Sequence, residues 1–291
     1  MGTDRFDKVH VEISNVCNLQ CSFCPTVERE KGLMTPELFR RVLEQVAPLT
    51  NQVALHLMGD PLVHPRLEEL VKIVADFDSQ IFFVTNGLLL REEKAQLLLG
   101  PVFRQVNFSL HSFPDNYPGR DPGAYLERIF AFTERAQRER PDLYINYRLW
   151  NLSDTRGAGE RNREILRRIE ARFDWRLLDE VDVRTQKSRR VRGRLYLHFD
   201  TEFTWPSLEL PALGTEGTCY GLRTHFGVLV DGTVVPCCLD KEGAIPLGNL
   251  REKPISDILG GARASAMRKG FRERRLVEEL CRRCQYIERF G

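Results

Sequence analysis

The stretch Val9-His10-Val11-Glu12-Ile13-Ser14-Asn15-Val16-Cys17-Asn18-Leu19-Gln20-Cys21-Ser22-Phe23-Cys24 decides how this chain is read. Val9 to Ser14 alternates apolar and polar positions, the period of a strand. Three cysteines follow at C-x3-C-x2-C spacing, on what is expected to be an irregular loop. Three thiolates are one short of the set for a cubane of four irons, so one iron stays open. An open iron binds a small molecule and passes it an electron directly. A structural zinc site is instead closed by a fourth protein ligand, for which His10 or His64 would be the source.

Working outward, the pattern of Val9 to Ser14 returns at Val53 to Met58, Gln80 to Thr85, Gln105 to His111 and Leu143 to Leu149, with a sixth strand expected between Val181 and Phe199. Helical stretches begin near Thr35, His64, Arg91, Tyr125 and Glu160. Thr35 is a cap, Pro36 suits the first helical position and Glu37 the first turn; Leu38, Val42, Leu43 and Val46 then form one apolar face. Repeated strand–helix units make an α/β protein with a parallel sheet, and periodicity fits an open doubly wound sheet and a barrel equally.

The texture changes after Phe199. Thr201 to Gly217 is rich in Pro, Gly, Thr and Glu and reads as a linker, so the expected domains are 1–200 and 201–291. Gly227 to Pro236 is two β runs around Asp231-Gly232, a hairpin signal. Pro254 to Arg275 is expected to be helical despite Gly260, Gly261 and Gly270.

The chain has 291 residues, 42% hydrophobic and 29% charged, which supports a folded core rather than general disorder. A net charge of +2 gives no bulk electrostatic reason for a nucleic-acid or membrane partner. No apolar run reaches membrane-spanning length, and Met1 to His10 lacks a signal-peptide pattern, so a cytoplasmic protein without a membrane partner is expected. Eight cysteines in a reducing compartment read as metal ligands or reactive thiols.

Five of the eight lie beyond the linker: Cys219, Cys237, Cys238, Cys281 and Cys284. Cys219 and Cys237 flank the hairpin, and C-x2-C at 281–284 puts two thiolates on one turn. That spacing fits structural zinc and iron–sulfur alike. Cys238 follows a ligand candidate directly. Neighbours on a strand point to opposite faces, which takes Cys238 away from the shared site; it is either a small buried hydrophobe or a thiol facing a substrate.

The C-x3-C-x2-C motif after a first strand resembles the signature of the radical S-adenosylmethionine (SAM) superfamily. Met58-Gly59-Asp60-Pro61 resembles its Gly-Glu-Pro motif, with Asp in place of Glu. Thr85-Asn86-Gly87 and Ser109-Leu110-His111 close the third and fourth strands where that family contacts SAM. Cys219 through Gly232 to Cys237, and the later C-x2-C, resemble SPASM and Twitch auxiliary-cluster domains. With no cysteine after Cys284, the shorter Twitch version is expected. The layout is similar to the 2-deoxy-scyllo-inosamine dehydrogenase family.

The resemblance implies a partial (β/α)6 radical SAM barrel with a small C-terminal Twitch-type domain, two [4Fe-4S] clusters and SAM. Cys17, Cys21 and Cys24 would hold the SAM-cleaving cluster, and Cys219, Cys237, Cys281 and Cys284 the auxiliary one. Phe23, Gly59, Asp60, Pro61, Asn86, Ser109 and His111, with Arg148 and Asn151, would contact SAM. Electron transfer into SAM would release a 5′-deoxyadenosyl radical that takes hydrogen from substrate, with flavodoxin or ferredoxin as electron donor. An auxiliary cluster with four protein ligands favours electron transfer and hence substrate oxidation; Cys238 as hydrogen donor would instead give an epimerase, and Asp240 is a candidate base.

A polar small molecule (sugar, polyol or aminocyclitol) is the first substrate class. A peptide is the second; the first strand begins by Val9, leaving no room for an N-terminal leader-binding domain unless it is a separate protein. RNA ranks third. Arg184, Lys187, Arg189, Arg190, Arg192 and Arg194 form either a solvated surface strand or a phosphate-holding patch, and Tyr196 and Trp205 do not make a base-stacking series. A zinc-stabilised binding protein is the alternative outside enzymology.

Overall fold

Thr35 begins the first helix as its sequence predicts: its side chain accepts from the Leu38 amide at 3.3 Å, ahead of Pro36. In this computed structural model, which describes residues 5–153, 156, 159–177 and 181–290, the elements follow the expected alternation. They are β1 (Lys8–Val11), α1 (Pro36–Val46), β2 (Gln52–Ala54), α2 (Leu67–Asp76), β3 (Gln80–Thr85), α3 (Glu92–Leu98), β4 (Phe103–Ser109), α4 (Ser112–Asn116), α5 (Gly123–Glu139), β5 (Tyr144–Leu152) and α6 (Arg163–Phe173). Then come β6 (Ser188–Arg192), β7 (Leu195–Thr201), β8 (His225–Val228), β9 (Thr233–Val235), β10 (Gly248–Asn249), α7 (Ile255–Gly260) and α8 (Ala262–Arg272).

Two units divide the chain. The first comprises residues 1–18, 24–81 and 203–291, the second 19–23 and 82–202, so β3 starts in one and finishes in the other, and the expected boundary at 200 falls inside β7. In the first unit the strand order is β10-β9-β8-β1-β2, with β1 parallel to β2 and β8 and the β8–β9 pair antiparallel. Val9, Val11 and Ile13 are fully buried on one face of the β1 segment, while Lys8, His10 and Glu12 take the other by alternation. Leu38, Phe39, Val42, Leu43 and Val46 bury the apolar stripe of α1. The β8–β9 hairpin turns at Asp231-Gly232, where Gly232 has φ +95°.

In the second unit the order is β4-β5-β7-β6, with β4, β5 and β7 parallel and β6 antiparallel to β7. Buried Val106, Phe108, Ile145, Tyr147, Leu195, Leu197 and Phe199 build its core.

Three expectations change. One strand expected between Val181 and Phe199 is two, joined through Gly193 at φ +57°. The helix expected over Pro254 to Arg275 is interrupted at Gly261, whose extended ψ of 159° ends α7. Cys237 and Cys238 lie in the turn after β9 rather than on a strand, so strict alternation of their side chains does not apply.

Candidate functional site

The first cysteine loop leaves β1 through a fixed corner. Ser14 Oγ accepts from the Val16 amide at 3.0 Å, and the Val16 carbonyl accepts from the Asp60 amide at 3.0 Å. Gly59 sits against this corner with φ +73°; a Cβ there would lie 2.5 Å from Ser14 O and 2.6 Å from Val16 O. Only glycine allows that approach. Asp60 is buried and its Oδ1 accepts from Leu62 at 2.9 Å, capping the short turn that begins at Pro61. The returning arm is held by Asn15, which donates to Glu30 O at 2.9 Å and accepts from the Gly32 amide at 2.8 Å. Cys17 and Cys24 are exposed.

Cys21, in the second unit, is buried and accepts a hydrogen bond from Asn116 Nδ2 at 3.1 Å. Its neighbours are fixed by the same short helix: Asn116 Oδ1 accepts from the Gln20 amide at 3.0 Å, and Asp115 accepts from the Ser22 amide at 2.7 Å. Sequence reading missed Asp115 and Asn116, whose only signal was position just past β4. Phe23 packs on His111 with ring centroids 4.6 Å apart. His111 is buried, which lowers its pKa to about 4; a neutral ring protonated on Nδ1 donates to Arg148 O at 3.1 Å.

The other strand-end candidates have defined partners. Asn86 Oδ1 accepts from Leu88 at 2.9 Å, and its carbonyl accepts from Tyr125 Oη at 2.7 Å. Ser109 ends β4, half-buried. The Arg148 guanidinium lies 4.3 Å from the Trp150 ring centroid, and Trp150 donates to His198 at 2.8 Å. Asn151 is engaged in a reciprocal amide pair with Asn162 at 3.0 and 2.8 Å.

In the first unit, Cys219, Cys237, Cys281 and Cys284 are half-buried, and none of the eight cysteines is in a disulfide. Burial raises all four thiols, and neighbouring thiols raise three of them further: Cys238, Cys219 and Cys281 act on Cys237, Cys219 and Cys284 on Cys281, and Cys219 on Cys284. Buried thiols close enough to act on one another are donors of the kind an iron–sulfur cluster takes up. Cys219 Sγ also accepts from the Gly221 amide at 3.4 Å. Among the described residues no group of three or more His, Cys, Asp or Glu side chains is arranged to hold a metal ion. His64 is engaged elsewhere, with Nε2 3.0 Å from Met34 O and Nδ1 accepting from Arg66 at 3.2 Å.

Cys238 packs against the apolar cluster of Val27, Leu57, Met58, Leu229 and Val235, beside Trp205. Its pKa rises to about 11 through burial, against the lowering charge of Lys8. Asp240 is buried, and its two oxygens accept from Ala244 and Ile245 at 2.8 and 2.9 Å, anchoring the loop past the cysteines. This is a structural use of the residue considered as a base.

Glu12 and Arg29 also escaped the sequence reading. Glu12 is fully buried, pairs with Arg29 Nη2 at 2.9 and 3.0 Å, and accepts from Met58 and Val230 amides at 3.3 and 3.0 Å. Removing one member of such a pair costs about 3–5 kcal/mol. On the same strand face, His10 packs edge-on to His56 and His225 at 5.5 and 6.0 Å. A parallel sheet normally carries apolar side chains on both faces, so this polar face is a departure.

Members of the arginine-rich run have local partners. Lys187 pairs with Asp200 at 2.9 Å, Arg184 with Asp182 at 3.1 Å, Arg192 bonds Gln137 at 2.9 Å, and Arg194 lies over Tyr144 at 4.5 Å. Among the described residues no helix is long and apolar enough to cross a membrane.

Comparison with known proteins adds two family matches. Residues 11–151 match the Radical SAM superfamily, and residues 219–285 an iron–sulfur cluster-binding domain, SPASM. The chain is 21% identical to the S-adenosyl-L-methionine-dependent 2-deoxy-scyllo-inosamine dehydrogenase of Niallia circulans, over 97% of this chain and 94% of that one. It is 23% identical to the PqqA peptide cyclase of Gluconobacter oxydans, over 96% and 82%. The crystal structure of BtrN in complex with AdoMet and 2-DOIA superposes with a TM-score of 0.63 at 20% identity, covering 96% of this chain and 93% of that one.

Proposed function

Because the chain belongs to the radical SAM superfamily and carries a SPASM iron–sulfur domain, we propose that it oxidises or epimerises a polar small molecule of the sugar, polyol or aminocyclitol class. The family's chemistry needs SAM and a [4Fe-4S] cluster: when bound, they supply a 5′-deoxyadenosyl radical, and the auxiliary cluster supplies an electron sink. In this reading Cys17, Cys21 and Cys24 are the three ligands that leave an iron open, and Cys219, Cys237, Cys281 and Cys284 hold the auxiliary cluster.

The chain's own residues then have separable tasks. Asn116 sets the electrostatics of the Cys21 sulfur. Phe23, backed by neutral His111, offers a flat apolar surface to adenine. Gly59 to Pro61, Asn86 and Ser109 face SAM by motif. Arg148 is a weaker candidate because it stacks on Trp150, and Asn151 weaker still because it pairs with Asn162. Cys238, beside the four thiols yet packed on apolar side chains, is placed to meet a substrate or to serve as filler; replacement by Ala with unchanged product stereochemistry removes the hydrogen-donor role. We assign 1–200 to the SAM-binding core and 201–291 to the auxiliary region.

The observation that carries this reading is the pairing of an incomplete thiolate set with a complete one. Support for the small molecule comes from the match to the aminocyclitol dehydrogenase over nearly all of both chains. A peptide substrate is the second reading, favoured by the peptide cyclase match over 96% of this chain. Anaerobic reconstitution, reduction and incubation with SAM are expected to give about eight iron atoms per chain and 5′-deoxyadenosine. Acceleration by aminocyclitols and not by short peptides supports the first reading, and the reverse supports the second. Zinc without iron, or no 5′-deoxyadenosine, overturns both.

A further inference from the structure

Two short segments, each just past a cysteine group, are stitched together within the first unit. Lys241 Nζ donates to Thr26 O at 2.9 Å, and Arg29 Nε donates to Lys241 O at 2.6 Å. The Glu28 and Arg29 amides donate to the Glu242 carboxylate at 3.1 and 3.2 Å. Thr26 to Arg29 lies two to five residues beyond Cys24; Lys241 and Glu242 lie three and four residues beyond Cys238.

The stitch is anchored at both ends. Arg29 turns its Nη2 to buried Glu12, which also receives Met58, the residue before Gly59, and Val230 from the β8–β9 hairpin. Asp240, one residue before Lys241, is buried and holds the following turn through Ala244 and Ile245. An irregular arm is usually held by its own turns. Here the partners of the Thr26 carbonyl, the Glu28 and Arg29 amides and Arg29 Nε come from more than 200 positions away, on the loop that leaves Cys237 and Cys238.

We propose that this latch is a positioning device: assembly of the second cysteine group fixes the 240–245 turn, and that turn, through Lys241 and Glu242, fixes the arm after Cys24 in the conformation that binds SAM. The inference rests on Cys17, Cys21 and Cys24 holding the SAM-binding cluster. Its physical content is a differential one: the Asp240 amide donates to the Cys237 carbonyl at 3.4 Å, so a second group without its cluster leaves the start of the turn less constrained, and the arm loses its charged partners at the same moment.

The test uses the reconstituted full chain. Replacing Lys241→Met together with Glu242→Gln touches no thiol, so iron per chain is expected to stay at the wild-type value. Backbone exchange at Glu28 and Arg29 is expected to accelerate about tenfold and the SAM dissociation constant to rise about tenfold. Cys281→Ala with Cys284→Ala, keeping the latch residues, is expected to produce the same acceleration at Glu28 and Arg29. Unchanged exchange and SAM affinity in the latch variant, or wild-type exchange in the cysteine variant, overturns the proposal. If the double latch variant does not fold, Glu242→Gln alone carries the exchange measurement. Failure of the functional reading looks different: wild-type protein then forms no 5′-deoxyadenosine, whatever the exchange rates do.

Discussion

The two cysteine groups are built by opposite means. In the first, Cys17 and Cys24 are exposed and only Cys21 is buried, on a loop with no regular structure of its own. In the second, four thiols are half-buried and burial pushes the pKa of each upward. The first combines two accessible sulfurs with one shielded one, which in the proposed reading suits exchange of a bound small molecule. The second keeps its sulfurs half out of solvent, where burial favours the protonated thiol until a cationic group takes the proton's place. Openness and closure are thus set by burial as well as by ligand count.

The largest expected effect separates the groups by deletion. Cys21→Ala is expected to halve the iron, from about eight to about four atoms per chain, and to abolish 5′-deoxyadenosine. Cys284→Ala is expected to cost similar iron and abolish product while 5′-deoxyadenosine still forms. If both variants lose radical formation with full iron at the untouched site, the division of labour is wrong.

A middle-sized effect concerns what tunes each sulfur. Cys21 receives a side-chain amide from Asn116, whereas Cys219 receives the Gly221 backbone amide, which no side-chain change short of proline removes. Asn116→Ala is expected to slow 5′-deoxyadenosine formation about ten- to hundredfold, with an altered midpoint potential for that cluster alone. An unchanged potential assigns Asn116 a purely structural part.

The smallest effect is in protonation. His111, beneath Phe23, has a pKa lowered by burial to about 4 against 6.5 when unfolded. The unfolded state binds the proton more readily, so His111's contribution to stability is present above about pH 6.5 and is lost as pH falls toward 4. Histidine NMR is expected to show this ring neutral across pH 5–8. A ring that titrates near 6.5 removes the neutral platform.

Much of this was legible beforehand. Helix α1 and strand β3 followed from capping and alternation, and the β8–β9 hairpin from Asp231-Gly232. The site's chemistry followed from the resemblance of the cysteine motifs to the radical SAM and SPASM families, since the spacing of the second group alone fitted zinc and iron–sulfur alike. Strand β2 stops at Ala54 rather than reaching Met58, because Met58 turns its amide to Glu12, a pairing 46 residues apart that no local pattern encodes. The guanidinium-rich segment hid β6, because alternation is invisible when both faces are polar, whereas β7 alternates buried Leu195, Leu197 and Phe199 with less buried neighbours. Asn116, Glu12 and Arg29 escaped for the same reason: each acts through a partner distant in sequence, and single-chain periodicity reports only neighbours.

One margin of the second unit has a practical consequence. Strand β6 lies antiparallel on β7 and carries Arg189, Arg190 and Arg192. Without it, β7 would present an apolar parallel strand with unpaired amides, an invitation to self-association. A border of fixed positive charge denies another copy a zipper to close, which favours monodisperse behaviour at the high concentrations that oxygen-free spectroscopy demands.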